Sequence, residues 1–154
     1  MNNTLKLIIS ILLPQLTGGL GALVTISSVG SWYQTINKPS FTPPSWLFGP
    51  AWTTLYLLMG IAMFLIWKSD HSLKKTALWL FGIQLFLNGI WSPAFFGLES
   101  PSLGLVVIVP LWVMILVCIK VFFPINKTAA YLMIPYLMWV SFATALNASI
   151  WYLN

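Results

Sequence analysis

The chain has 154 residues, of which 59% are hydrophobic and only 6% charged. A soluble domain carries about 25% charged residues, so these charges are too few to dress a water-facing surface. The net charge of +5 comes from lysines scattered among apolar runs, with no arginine, and such spacing makes no basic face for nucleic acid.

The length fits a single domain, residues 1–154. A helix needs about 20 apolar residues to cross about 30 Å of hydrocarbon. The first stretch that qualifies runs near Leu5–Val29. It carries a lysine and small residues near Gly21 and Ala22, as a cleaved leader would, but its apolar run is too long for one and it reads as a span. Gly18 and Ala22 form a small-x-x-x-small pair, a frequent pattern and a weak dimer signal. The connection that follows, Gly30–Ser45, is long and rich in proline, which forbids a regular helix. Thr42, just before Pro43, is the expected N-cap of the second span, near Trp46–Trp67. The third span lies near Thr76–Gly97, the fourth near Ser102–Phe123 and the fifth near Thr128–Tyr152. The expected fold is therefore all-α, an integral membrane bundle of five transmembrane helices. Prolines 14, 50, 93, 110 and 135 lie in or near the spans, where each deletes a backbone hydrogen bond and bends its helix.

The lysines orient the chain. Lys6, Lys68, Lys74, Lys75, Lys120 and Lys127 fall on one side and only Lys38 on the other. Positive residues stay cytoplasmic, so the expectation is a multi-pass cell-membrane protein with its N-terminus inside and its C-terminus and Pro-rich loop outside.

The spans hold no carboxylate and no histidine: Asp70, His71 and Glu99 all fall in loops. Ion-coupled transporters place such groups within the membrane. A Ser-His-Asp arrangement, a metal site and an axial histidine for haem iron are excluded on the same count, and no cofactor is expected. Cys118 is the single cysteine and cannot form an internal disulfide.

The spans are instead rich in indoles and amides. Trp46, Trp67, Trp79 and Trp151 sit at span ends, as an interfacial belt does. Trp52, Trp91, Trp112 and Trp139 suit a belt less well. At 100° per residue, Gln84, Asn88 and Trp91 share an arc of roughly 60° on the third span. Trp139, Ala143, Leu146 and Asn147 share roughly 100° on the fifth, and Trp52 and Tyr56 lie one turn apart on the second. Amides in hydrocarbon need partners, so these faces point into the bundle. Periodicity leaves two readings open there: interhelical glue, or the lining of a ligand pocket in which Ala143 leaves space between larger neighbours.

The motifs Trp32-Tyr33, Lys38-Pro39-Ser40-Phe41-Thr42-Pro43-Pro44 and Pro50-Ala51-Trp52-Thr53-Thr54-Leu55-Tyr56 resemble the signature of the tryptophan-rich sensory protein, or translocator protein, family (TspO). Gln84-x-x-x-Asn88-x-x-Trp91 and Pro135-Tyr136-x-x-Trp139-x-x-Phe142-Ala143-Thr144-x-Leu146-Asn147 resemble its third and fifth helices, so the likeness covers nearly the whole chain. The lysine pattern is similar to that of a bacterial member. The resemblance implies a five-helix bundle, usually a homodimer, with a pocket under the first loop for porphyrins, haem and synthetic benzodiazepine-type ligands. Carried over residue by residue, that pocket is Tyr33, Trp52, Tyr56, Asn88, Trp91, Trp139, Ala143 and Asn147. Bacterial relatives are also associated with light- and oxygen-dependent breakdown of protoporphyrin, in which the tryptophans matching Trp52 and Trp139 are implicated as catalytic. The sequence departs from the family in two places. The sterol motif of animal members needs a basic residue after the tyrosine, whereas Tyr152 is followed by Leu153 and Asn154. Phe41 stands where the family usually has tryptophan.

The leading expectation is a membrane receptor for flat hydrophobic ligands of the porphyrin type. Trp52, Trp91 and Trp139 stack on the ligand, Asn88 and Asn147 supply hydrogen bonds, the first loop serves as a lid, and Lys38 meets propionates. The alternative is a transporter or exporter of tetrapyrroles or other hydrophobic small molecules. A third reading is a non-catalytic sensor that signals bound ligand to a partner.

Overall fold

The computed structural model describes residues 2–154. Five helical stretches are long and apolar enough to cross a membrane: Asn3–Val29, Ser45–Trp67, Lys74–Gly97, Pro101–Ile125 and Lys127–Leu153. The first is helix α1 (Asn3–Val29), capped by the Asn2 side chain, which accepts the Leu5 N–H at 2.9 Å. Helix α2 (Trp32–Thr35) is one turn inside the long connection. Helices α3 (Ser45–Trp67) and α4 (Lys74–Ser92) follow, then α5 (Pro101–Ile125), the short α6 (Lys127–Leu132) and α7 (Ile134–Leu153).

Several features correct the sequence expectation. The long connection is not wholly irregular, because α2 forms ahead of its first proline, Pro39. Thr42 does not cap the second span. The helix starts at Ser45 with Pro44 at the cap position, and the Thr42 hydroxyl donates to the Pro39 carbonyl at 2.8 Å in a turn of its own. A residue that precedes proline is pushed out of helical geometry, which keeps both Thr42 and Pro43 out of the first turn. The third span does not stay α-helical to its end. Pro93 cannot donate, and the chain widens into a π-helical turn over Pro93–Gly97 in which the Leu98 N–H reaches back to the Pro93 carbonyl. Glu99 then adopts φ 51, a left-handed conformation that reverses the chain into α5. Pro135, in the first turn of α7, accompanies a break at Met133 that divides the fifth span into α6 and α7.

Around the bundle the spans run in the order first, second, fifth, fourth, third, and the third closes on the first. The outer face is apolar, with Leu16, Leu20, Leu23, Phe86 and Val106 exposed. The five long stretches are helical, the form in which a chain can satisfy most of its backbone within a bilayer. The chain is thus a multi-pass membrane protein. Phe81, Phe122, Ile115, Met133 and Ala130 pack without gaps at the end away from the long connection. Tyr33, Phe95, Phe96, Leu146 and Ile150 form a second cluster beneath that connection.

Between the two clusters lies a polar knot. The Tyr56 hydroxyl donates to Asn88 Oδ1 at 2.7 Å, and Asn88 Nδ2 donates to the Tyr136 hydroxyl at 2.9 Å. One amide thus ties three spans. Gly18 makes room for this arrangement, since a Cβ there would stand 2.1 Å from the Tyr56 ring. Gln84, one turn from Asn88, is fully buried but contacts only Met59 Sδ at 3.9 Å, and its Oε1 has no partner. The two amides therefore predict opposite results. Hydrogen bonds between membrane helices average about 0.6 kcal/mol, and orphaned hydroxyls add to their loss, so Asn88→Ala is expected to cost about 1–2 kcal/mol in a denaturing-detergent titration. Gln84→Leu is expected to be neutral or stabilising. Equal destabilisation by the two would contradict the assignment of Asn88 as the tie.

Candidate functional site

Beneath the long connection the bundle holds a cavity of about 30 Å³ walled mainly by aromatic rings. Trp52 comes from α3, Trp91 from α4, and Trp139, Ala143 and Asn147 from α7, while Tyr33 of α2 closes the top. These are the residues of the expected pocket that the structure brings together. Tyr56 and Asn88 lie one layer below, spent on the polar knot. Periodicity could not separate these roles, because Asn88 and Trp91 share a helix face and differ only in depth.

Phe48, Phe95, Phe96 and Ile150 also line the cavity, and sequence reasoning missed them. Ile150 had a signal, since it lies seven residues after Ala143 and so returns to the same helical face. Phe95 and Phe96 had none. They reach the site through the π-helical turn, which rotates them off the α-helical register.

The rings hold one another in place. Trp52 stacks on Tyr56 with centroids 5.4 Å apart and meets Trp139 edge-on at 6.4 Å. Trp91 stacks on Phe95 at 5.4 Å, and Phe48 meets Trp139 edge-on at 6.1 Å. Such pairs contribute about 0.5–1.5 kcal/mol each beyond their buried area.

The polar groups are few. Trp91 Nε1–H donates to Asn147 Oδ1 at 3.3 Å, and Asn147 Nδ2 donates to the Pro101 carbonyl at 2.7 Å. Asn147 therefore joins the third, fourth and fifth spans at the cavity wall. Gly104 admits it, because a Cβ there would stand 2.6 Å from Asn147 Oδ1 and 2.8 Å from the Phe95 ring. Trp139 is different: its Nε1–H is buried and has no acceptor. A buried donor without a partner is unusual in a native structure and marks a place where a ligand acceptor would be favourable.

The connection acts as a cover and is tied down. Tyr33 is 4% exposed and lies edge-on to Phe95 and Phe96 at 6.5 and 5.5 Å. Burial pushes its phenol pKa above the ordinary value, so it stays neutral. The Lys38 ammonium, expected to face a ligand carboxylate, is turned inward. It donates to the Tyr33 and Ile36 carbonyls and sits 4.8 Å from the Tyr33 ring centre, a cation–π contact. At the far end of the chain, Asn154 Oδ1 accepts the Asn37 N–H and its Nδ2 donates to the Asn37 carbonyl, both at 2.9 Å. Asn37 Nδ2 also donates to the Leu153 carbonyl at 3.3 Å. The cover is thus latched to the end of α7.

A ring-walled cavity without an ionisable group in its wall apart from Tyr33 can hold and orient an apolar molecule but has no acid–base pair. Among the described residues, no group of three metal-ligating side chains comes together.

The chain matches the family model described as TspO/MBR family over residues 10–153. It is similar to the tryptophan-rich protein TspO of Archaeoglobus fulgidus, at 45% identity over 99% of both chains. It is similar to protein CrtK of Rhodobacter capsulatus at 38% identity, over 87% of this chain and 85% of that one. The translocator protein of Bos taurus is 38% identical over 91% of this chain and 85% of its own length.

The latch makes a local prediction. Asn154→Ala removes two hydrogen bonds to Asn37, each worth about 1 kcal/mol, so it should speed hydrogen exchange of the Asn37 amide roughly thirtyfold. Exchange at the wild-type rate would mean that the cover is held by other contacts.

Proposed function

The chain belongs to the TspO/MBR family, and from that premise we propose that it is a membrane receptor for flat, hydrophobic, porphyrin-type molecules, held among Trp52, Trp91 and Trp139. The observation that carries this reading is the buried, unpartnered Nε1–H of Trp139, a residue that lines a ring-walled cavity. Rings offer faces to a π-system, and a buried N–H without an acceptor offers direction. Asn147 also lines the cavity and keeps one N–H and one lone pair beyond the bonds it makes.

The cavity as it stands, about 30 Å³, holds on the order of two water molecules. A tetrapyrrole therefore binds an opened form, and the closed form lowers the apparent affinity by the fraction of time it is populated. The protein contributes stacking, orientation and exclusion of water. For an excited porphyrin in air, Trp52 and Trp139 are the neighbouring indoles placed to quench or donate an electron, with the pigment and oxygen supplying the reactivity. The lysine asymmetry supports a covered end that faces outward. Family dimers support a homodimer here. Passive passage of the same ligands through the bundle is the rival use of the same cavity.

The test is a titration of purified protein with protoporphyrin in the dark, read by tryptophan fluorescence. Saturable quenching is expected, with affinity reduced about tenfold in Trp52→Ala and in Trp139→Ala, the size expected from losing a stacked ring. Unchanged affinity in both variants would reject this site. Illumination in air followed by product analysis then separates a receptor from a degrading enzyme, and flux across proteoliposomes separates it from a transporter.

A further inference from the structure

A small cavity beneath a tied-down cover raises the question of how a molecule reaches it. On the outside of the bundle, α3 and α7 part to leave an open, apolar groove of about 560 Å³. Its walls include Pro50, Ala51 and Thr54 of α3 and Pro135 and Met138 of α7. The two prolines account for the gap. Pro50 interrupts the α3 ladder, Pro135 lies just past the break between α6 and α7, and where the two helices face each other they touch sparsely. Met138 is 67% exposed, so the groove opens toward the acyl chains.

The floor of this groove and the wall of the inner cavity are the same residue. Trp139 lines both spaces. Its indole therefore stands between the cavity and the groove. That indole makes no hydrogen bond through its N–H, so turning it breaks none. Its neighbours on the cavity side, Phe48 and Trp52, meet it edge-on at 75° and 85°, so turning it gives up two aromatic contacts but no hydrogen bond. The cover is the opposite case. Lifting it breaks the Asn37–Asn154 pair and uproots the Lys38 ammonium from two carbonyls.

We propose that the groove between α3 and α7 is the membrane-side portal of the cavity, with the Trp139 indole as its gate, and that it admits flat apolar aromatic molecules dissolved in the bilayer. This rests on the reading that the cavity binds such molecules. The groove suits that occupant: its walls are apolar, it opens on hydrocarbon where such a molecule concentrates, and it leads to an N–H that lacks an acceptor.

A gate and a binding contact differ in kinetics. A portal residue changes the rates of entering and leaving together and spares the equilibrium, whereas a contact residue changes the equilibrium. The experiment uses the full chain in lipid nanodiscs and follows protoporphyrin by stopped-flow tryptophan quenching. Met138→Trp and Ala51→Phe narrow the groove from its two sides, and Asn154→Ala loosens the cover. Met138 faces lipid, so its replacement leaves the folded bundle intact even if the Ala51 variant does not assemble. The expected result is an association rate lowered about tenfold in the groove variants, with the dissociation constant changed less than about threefold. Asn154→Ala should leave the association rate within about twofold of wild type. Wild-type association in the groove variants, or acceleration by Asn154→Ala alone, would overturn the portal in favour of the cover. No saturable quenching in the unaltered protein would overturn the binding reading and the portal with it.

Discussion

The structure depends on how a few carboxamides are satisfied in a medium that offers no water. Asn88 and Asn147 each join three spans, and each does so with both ends of its amide. Lipid tails are as apolar as leucine, so helix association here rests on packing and interhelical hydrogen bonds rather than on the hydrophobic effect. With the amides placed at two depths, the bundle is fixed at its middle and at the upper wall. The large rings between those depths then meet one another largely edge-on, and that geometry leaves an interior space where full stacking would have closed it.

This division of labour explains why the lower half is solid and the upper half is not. Below the knot, Phe81 and Phe122 stack, and Ala129 and Ala130 bring α6 close to α3. Above it, proline ends the α-helical part of the third span and the π-helical turn swings Phe95 and Phe96 inward. The break in the fifth span at Met133 falls just below the knot residue Tyr136. A helix interrupted within hydrocarbon is tolerated where it faces protein or a cavity, and the π-helical turn falls at the cavity end. The groove beside the cavity is bordered by other irregularities, Pro50 and Pro135, and the two spaces meet at Trp139.

Much of this was legible in the sequence. The five spans follow from length and hydropathy, and the inward faces of the third and fifth follow from helical spacing. The choice between glue and pocket did not follow, because both uses call for the same residues on the same faces. The structure divides them by depth: Tyr56 and Asn88 as ties, Trp52 and Trp139 as walls, and Asn147 as both. Three features were out of reach for physical reasons. The inward turn of Lys38 depends on loop carbonyls that have no sequence pattern. The Asn37–Asn154 latch joins residues 117 positions apart. The roles of Phe95 and Phe96 depend on a change of helical period at Pro93.

The central claim is that the indoles form two populations, one facing lipid and one facing an inner space. The most direct measurement is ¹⁹F NMR of the protein labelled with fluorotryptophan, which gives one resonance for each of its nine tryptophans. Trp46, Trp79 and Trp151, at 72%, 76% and 56% exposure, should broaden with a spin-labelled lipid and ignore protoporphyrin. Trp52, Trp91 and Trp139 should shift with protoporphyrin. Broadening of Trp52 and Trp91 by the lipid, with no response to the pigment, would contradict the account.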